Sequence, residues 1–357
     1  MVMSKCWIVV NVRMRTCLII LFFAISVFFL SSCGHKEIQD YCWQIRVESS
    51  DEKIKSEWLD SMKATVTEIP LSMPIASIWS MDVFGRKCFL IDSFMQIFCL
   101  DLERKQAIRS NISLGNANNE MISPVCLSAD GEYVYVYDSM KGRIFVLTHE
   151  LRLHHVLNTE CSFSMLRKTD DGFACLSIDD GQNFYFLNNE GIVVYSRKLS
   201  NVCPRVIPDE NPLQIGGDGK LYVKAIYSDV LYRWEDGDLA VAGKFRCGTH
   251  ERVGEDTANA NMIRSQGMYM EGYFVTRSHI LSSYVESDGK SIRNNLYDLR
   301  TCESISGRLG SIGGIFFRAN VQRGKYAYAI VLSEDAFAYG LKGTTENCVE
   351  IIQYEFP

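Results

Sequence analysis

Short hydrophobic segments separated by turn residues dominate the chain after residue 60. The clearest stretch contains PVCLSAD (124–130), EYVYVYD (132–138), RIFVLT (143–148) and LRLHHVL (151–157). These segments alternate or are continuously apolar, are rich in Val, Tyr and Phe, and are bounded by Gly, Asp and Asn. The pattern predicts four short antiparallel β-strands. After the N-terminal leader, one stretch, Glu52 to Met62, has the spacing of an amphipathic helix.

A glycine followed at once by a strand-like segment recurs along the chain. Six such glycines lie 41 to 53 residues apart: Gly85, Gly131, Gly172, Gly219, Gly272 and Gly324. Three of them follow an aspartate, and Asp-Gly between apolar segments indicates a hairpin turn. Four strands per repeat of roughly 40–50 residues are typical of β-propellers. We therefore predict an all-β chain that folds as a six-bladed β-propeller of four-stranded antiparallel blades, with a pair of β-sandwiches as the alternative.

The two ends of the repeat region predict how the ring closes. The segment CVEIIQYEF (348–356) belongs to the sixth blade, and MKATVTEIP (62–70) lies one strand ahead of the first. We expect 62–70 to form the outer strand of the sixth blade, which joins the ring non-covalently and covers its edge strands. The predicted propeller domain is therefore residues 61–357.

The first 33 residues have the layout of a secretory signal. Lys5, Arg13 and Arg15 precede a 14-residue apolar run at 17–30, and no acidic residue appears before Glu37. A run of 14 residues is shorter than the roughly 20 that a membrane-spanning helix needs. The layout predicts a signal peptide over residues 1–32.

The end of that leader, Leu30-Ser31-Ser32-Cys33, resembles the lipobox of bacterial lipoproteins. The resemblance implies that the Cys33 thiol receives a diacylglycerol and that Cys33 becomes the new N-terminus. By resemblance to Gram-negative lipoproteins, Gly34 after the cysteine implies transfer to the outer membrane, with the membrane face left open. The alternative is an ordinary signal peptide in which Cys33 is incidental. Residues 33–60 are then a lipid-anchored linker.

Composition and charge exclude several classes of protein. The chain is 47% hydrophobic and 22% charged, which argues against disorder and against a polytopic membrane protein. After the leader, 34 basic and 43 acidic residues give a formal charge of −9. Nucleic-acid binding needs a basic surface, so we expect no nucleic-acid partner.

Ten of the thirteen cysteines remain after the leader and Cys33 are set aside. Most lie in apolar segments, which predicts small buried side chains rather than a disulfide framework. Cys88 and Cys99 flank a predicted turn around Ser93-Phe94, so they are a candidate cross-strand disulfide. The pairing of the remaining cysteines stays open.

Three aspartates end the predicted second strands of successive repeats: Asp92, Asp138 and Asp179. Carboxylates at a channel mouth can hold Ca²⁺ or Mg²⁺, which makes these residues candidate metal ligands. The favoured interpretation is that each aspartate caps a turn through backbone amides. His154 and His155 are adjacent in a predicted strand, so we expect their side chains on opposite faces and no shared metal. No catalytic residues and no cofactor are predicted.

The segment 113–147 (SLGNANNEMISPVCLSADGEYVYVYDSMKGRIFVL) resembles the TolB-like six-bladed propeller lipoproteins of Bacteroidetes. In that family a Leu-Gly-x-Gly-x-x-Glu loop precedes a proline-led strand. Leu114-Gly115 and Glu120 match the loop, whereas Ala117 replaces the second glycine. The resemblance implies the fold and an envelope location, and it implies no reaction.

These observations favour an outer-membrane lipoprotein whose propeller binds an envelope protein or a glycan, or acts as a scaffold. Its membrane contact is the lipid on Cys33. A propeller enzyme, either a metal-dependent lactonase or a glycan-active protein, is the alternative. A sensor subunit is the third hypothesis.

Overall fold

Antiparallel β-strands make up almost all of the regular structure in the computed structural model. The model describes residues 42–204, 211–247, 269–286, 288, 291–341 and 347–357. The predicted signal peptide, Cys33 and the first residues of the predicted linker lie outside the described residues. No helix in the described ranges is long and apolar enough to cross a bilayer.

Three elements precede the first repeat: β1 (Trp43–Val47), α1 (Glu57–Asp60) and β2 (Lys63–Pro70). The Ser56 hydroxyl accepts a hydrogen bond from the Trp58 amide and so caps α1. The predicted helix of residues 52–62 is therefore reduced to about one turn.

Four antiparallel sheets of four strands each correspond to units of the sequence repeat. The first contains β3 (Ile78–Phe84), β4 (Lys87–Asp92), β5 (Ile97–Asp101) and β6 (Gln106–Arg109). The second contains β7 (Pro124–Ala129), β8 (Tyr133–Asp138), β9 (Arg143–Thr148) and β10 (Leu153–Asn158). The third contains β11 (Met165–Thr169), β12 (Gly172–Ser177), β13 (Gln182–Leu187) and β14 (Val193–Ser200). A later sheet contains β19 (Tyr269–Val275), β20 (His279–Val285), β21 (Ile292–Asp298) and β22 (Ser304–Gly307).

The fifth sheet has nine strands in the order β1-β18-β17-β16-β15-β23-β24-β25-β2. One half contains β15 (Leu213–Ile215), β16 (Leu221–Lys224), β17 (Val230–Glu235) and β18 (Asp238–Cys247). The other half contains β23 (Val321–Arg323), β24 (Tyr326–Leu332) and β25 (Cys348–Glu355), and a 3-10 helix (Ser333–Tyr339) follows β24. A single parallel pair, Ile215 with Arg323, joins the two halves.

Apolar side chains pack between each strand group and the next. Phe89 of the first sheet packs with Leu127 and Phe145 of the second. Equivalent clusters join the second sheet to the third, the third to β15–β18, that half to β19–β22, and β19–β22 to β23–β25. A further cluster returns from β23–β25 to the first sheet. The described residues therefore form a closed, propeller-like arrangement of sheets packed face to face.

The predicted closure by residues 62–70 and 348–356 is confirmed. Strand β2 pairs antiparallel with β25 along its whole length, from Lys63 opposite Glu355 to Pro70 opposite Cys348. The pairing places β2 at the outer edge of this half of the sheet, next to a strand from the opposite end of the chain.

The described part of the predicted linker 33–60 is not an extended connection. Strand β1 pairs in parallel with β18, from Trp43 opposite Gly243 to Val47 opposite Cys247. Ile45 and Val47 are fully buried. Residues 43–47 therefore belong to the folded domain, because burial of these two side chains holds the strand against the sheet.

The prediction that Gly272, the fifth glycine of the repeat, begins a second strand after a hairpin turn was wrong by one strand. Gly272 lies inside β19, next to a bulge between Met270 and Gly272, and the hairpin turn follows at Arg277-Ser278. The bulge interrupts the alternation of apolar and polar residues along β19. In the sequence, Gly272 therefore looks like the residue just before a strand. By contrast, Gly85 and Gly324 lie at the expected turns with φ of 60° and 62°.

Candidate functional site

The sheets have two ends, which we name by the course of their first strands. The first strands, β3, β7, β11, β15, β19 and β23, face one another at the centre. We call the upper face the end where these strands begin and the second strands end. The lower face is the end where the first strands pass through a hairpin turn into the second.

Asp92 ends β4 at the upper face, and its fully buried carboxylate holds the following turn. Oδ1 accepts hydrogen bonds from the amides of Phe94 (3.0 Å) and Gln96 (2.9 Å). Oδ2 accepts one from the amide of Ala76 at 3.3 Å, which fixes the segment that leads into β3.

Asp138 occupies the equivalent position at the end of β8 and is also fully buried. Its Oδ1 accepts hydrogen bonds from the amides of Met140 and Lys141, both at 3.0 Å, and its Oδ2 accepts one from the amide of Ile122. The two carboxylates are thus occupied by backbone donors, as the turn-capping interpretation expects.

Asp179 does not follow this pattern. It is exposed and lies beyond the end of β12, in the turn before β13. The three aspartates therefore do not converge on one point of the structure. The described residues contain no group of three or more His, Cys, Asp or Glu side chains that could hold a metal ion.

The capped turns present large apolar side chains to solvent at the upper face. Phe94 is 68% exposed in the β4–β5 turn, and Met140 is 71% exposed at the equivalent place in the β8–β9 turn. Phe337 is 78% exposed in the 3-10 helix that follows the second strand β24.

Three more exposed apolar side chains lie at the same end. Trp79 lies near the start of β3, Leu114 in the loop before β7, and Phe316 in the loop before β23. Lys141 Nζ donates to the carbonyl oxygen of Glu120 at 2.6 Å, which ties the loop of Leu114 to the turn of Met140. We call these six side chains the upper apolar surface: Trp79, Phe94, Leu114, Met140, Phe316 and Phe337.

A buried charge cluster closes the centre of the molecule. The Asp82 carboxylate on β3 forms ion pairs with Arg167 on β11 and with Arg323 on β23, the latter at 2.8 Å. Oδ2 also accepts hydrogen bonds from the Ser128 hydroxyl at 2.6 Å and the Ala129 amide at 2.9 Å. Side chains from four first strands, β3, β7, β11 and β23, therefore meet at the centre.

This environment sets the protonation state of Asp82. Burial raises the pKa of the Asp82 carboxyl group, whereas the positive charges of Arg167 and Arg323 lower it. Hydrogen bonds from Ser128 and Ala129 lower it further, and the resulting pKa is about 2. The carboxylate is thus ionised at neutral pH, although it is fully buried.

The sequence pattern did not single out Asp82, Arg167 and Arg323. Asp82 lies between apolar residues in MDVF (81–84), and Arg167 follows two apolar residues in MLRKT (165–169). A charged residue beside buried apolar positions is a usable signal for these two, because buried charges need partners. Arg323 lacks that signal, since its neighbours are Gln322 and Gly324. The partners lie 85 and 241 residues from Asp82, so no local pattern connects them.

The prediction that the side chains of His154 and His155 point to opposite faces was wrong. The two Nδ1 atoms lie 2.6 Å apart on the surface, and the Tyr133 hydroxyl is 3.5 Å from Nε2 of His154. A bulge between Leu153 and His155 makes His154 the extra residue of β10. The bulge removes the alternation of side chains on which the prediction rested.

The candidate disulfide between Cys88 and Cys99 is also contradicted. Cys88 lies opposite Leu100, and Cys99 lies opposite Phe89, so the two cysteines are offset by one residue. The offset places them on opposite faces of the sheet, each in a different apolar cluster. Both are free thiols and buried, and burial raises the pKa of each.

No protein-family model matches the chain. No curated protein matches it by sequence. Among solved structures, it is similar to a candidate exported protein of Bacteroides fragilis, with a TM-score of 0.64 and 12% identity over 88% of this chain and 99% of that one.

Two further solved structures are less similar. A member of the DUF4221 family from Bacteroides vulgatus has a TM-score of 0.48 and 11% identity, over 84% of this chain and 99% of that one. Virginiamycin B lyase from Staphylococcus aureus has a TM-score of 0.46 and 12% identity, over 83% and 100%. The strand pairing and the similarity to the Bacteroides fragilis protein support an all-β, propeller-like fold. At such identities the similarity concerns the fold alone.

Proposed function

We propose that this protein is an exported lipoprotein whose propeller binds an envelope protein or another envelope ligand through the upper apolar surface. We further propose that the propeller has six blades, that it is of the TolB-like type, and that the lipid on Cys33 anchors it to the outer membrane.

The observation that carries the binding role is the concentration of large apolar side chains at one end of the molecule. Exposed apolar patches mark protein or ligand interaction sites, and aromatic residues and methionine are enriched at protein interfaces. The buried carboxylates of Asp92 and Asp138 hold the turns of Phe94 and Met140 in place. A surface held in this way loses little conformational entropy on binding.

The strand pairing supports a count of six blades. Each half of the nine-stranded sheet contains four consecutive antiparallel strands: β15 to β18 in one, and β23, β24, β25 and β2 in the other. One parallel pair of residues joins them. Counted as two blades, these halves and the four separate sheets make six.

The leader and one structural relative support export. The basic residues and the 14-residue apolar run precede Cys33, and the similar Bacteroides fragilis protein is described as a candidate exported protein. In a fractionation experiment, the Cys33→Ala variant should move from the membrane to the soluble fraction. A variant that stays with the membrane would contradict the lipid anchor.

The binding role is tested by comparing two triple variants of the full chain. Phe94→Ser, Met140→Ser and Phe337→Ser together remove exposed apolar surface from the upper face. The control, Ile108→Ser, Val194→Ser and Ile305→Ser, removes similar exposed side chains from outer strands. Affinity purification from envelope extracts with quantitative mass spectrometry should show at least one protein that is depleted with the first variant and retained with the control. Equal recovery of every protein with both variants would contradict the proposal.

A further inference from the structure

The charges of the buried cluster do not balance. Asp82 supplies one negative charge, and Arg167 and Arg323 supply two positive charges. Arg167 is fully buried, and the Arg323 side chain is 20% exposed. An uncompensated charge in a protein interior is strongly unfavourable. The cluster therefore has one positive charge in excess at the centre of an otherwise acidic protein.

The same region contains buried hydrogen-bond donors that have no acceptor. Among the described residues, Arg167 Nη2, Arg323 Nε and Gln214 Nε2 are buried and have no hydrogen-bond partner. Gln214 is fully buried on β15. A buried donor without an acceptor destabilises the folded state, and more so when it is charged. All three atoms are donors, so each requires an acceptor that the described residues do not provide.

The three donors lie on neighbouring strands that are linked by hydrogen bonds. Arg167 Nε donates to the carbonyl oxygen of Leu213 at 3.0 Å, and Leu213 precedes Gln214. Gln214 Oε1 accepts a hydrogen bond from the amide of Gln322 at 2.6 Å, and Gln322 precedes Arg323. The Gln214 amide oxygen is thus committed, and its nitrogen is left as the donor.

We propose that the centre of the molecule binds one small monovalent anion between Arg167, Gln214 and Arg323. The anion is chloride or the carboxylate of a small acid, since both carry one negative charge and accept hydrogen bonds from guanidinium and amide groups. The site is separate from the upper apolar surface. Arg323 ends its strand at the lower face, and its guanidinium lies over the Phe84 ring at 5.2 Å, so the partly exposed Arg323 marks the point of entry.

The test is the anion dependence of thermal unfolding of the full chain at constant ionic strength. Chloride and formate are each titrated against gluconate, which is a much larger anion. A bound anion raises the melting temperature with the logarithm of its concentration above Kd. We expect a rise of about 2 °C or more at 200 mM chloride or formate. The more effective of the two anions identifies the natural class of ligand.

The Gln214→Glu variant tests whether the anion effect arises at the proposed site. Glutamate keeps the side-chain oxygen that accepts from Gln322 and places a carboxylate where the anion would bind. This variant should unfold at the same temperature in chloride, formate and gluconate. The Gln106→Glu control adds the same charge at an exposed position on β6 and should keep the response of the wild type.

Two outcomes would overturn the proposal. One is a melting temperature of the wild type that is equal in all three salts, which a bound water molecule alone would give. The other is a Gln214→Glu variant that still responds to chloride or formate. Crystals soaked in bromide give an independent reading, because the proposal requires an anomalous peak within hydrogen-bond distance of Arg167 Nη2.

Discussion

Asp82 is the residue on which most of the central contacts depend. It receives two guanidinium groups, one hydroxyl and one backbone amide from three other strands. Breaking a buried ion pair by removing one partner costs about 3–5 kcal/mol, because the other charge is left uncompensated. We therefore regard Asp82 as a determinant of how the first strands are held together at the centre of the molecule.

The lowered pKa of Asp82 predicts a loss of stability in acid. The folded-state pKa is about 2, below the ordinary value of 3.8, so the ionised carboxylate stabilises the folded state at and above about pH 4. This contribution, about 2 kcal/mol, is lost as the pH falls from about 4 to about 2. Urea unfolding of the wild type and of Asp82→Asn between pH 5 and pH 2 measures it.

The variant should begin with a lower free energy of unfolding and should lack this part of the pH dependence. The exposed Glu132→Gln variant should follow the wild-type curve. If wild type and Asp82→Asn lose stability in parallel between pH 4 and pH 2, Asp82 does not have the role assigned to it.

At the scale of elements, the turns that follow the second strands determine which side chains are exposed at the upper face. Asp138 holds the β8–β9 turn through the amides of Met140 and Lys141, and it holds the segment before β7 through the amide of Ile122. Hydrogen bonds to a charged group contribute about 1.5–3 kcal/mol each, and their effects are not additive. The Asp138→Ala variant should therefore lower the free energy of unfolding in urea by about 2–3 kcal/mol.

Asp179 provides the matched control for this turn. It has the same position in the predicted repeat but is exposed, so Asp179→Ala should change the free energy of unfolding by less than about 0.5 kcal/mol. Equal effects of the two variants would mean that Asp138 does not act as the cap of its turn.

The elements that sequence predicts well are those with regular patterns. The strands of the second sheet follow the predicted segments closely, and residues 124–129 and 143–148 match within one residue. The pairing of β2 with β25 could be predicted because the repeat has four strands. One strand lies ahead of the first repeat unit, and the last unit has one strand too few. The early strand therefore has one place to pair, beside the last strand of the chain.

Bulges account for several of the elements that were predicted wrongly. His154 and Gly272 both lie at register shifts, and a bulge adds one residue without changing the local composition. The one-residue offset of Cys88 and Cys99 has the same origin in strand register, which the turn sequence did not specify. The central cluster was missed for a different reason, since its partners come from separate repeats.

At the scale of the whole molecule, the two faces differ in chemistry. The upper face exposes large apolar side chains from three neighbouring strand groups, and the cluster of Asp82, Arg167 and Arg323 lies towards the lower face. Both belong to the same closed arrangement of packed sheets. Such a division suits a module that binds a partner at one end and is stabilised through its centre.

Site-specific cross-linking in cells that make the protein tests the binding role most directly. A photoreactive benzoylphenylalanine replaces Phe94 in the upper apolar surface, and in a second protein it replaces Val194, which is exposed on the outer strand β14. If the upper apolar surface binds a partner, the residue at position 94 should form a defined cross-link to one envelope component, whereas the residue at position 194 should form none. The same cross-linking pattern at both positions, or none at either, would contradict the binding role.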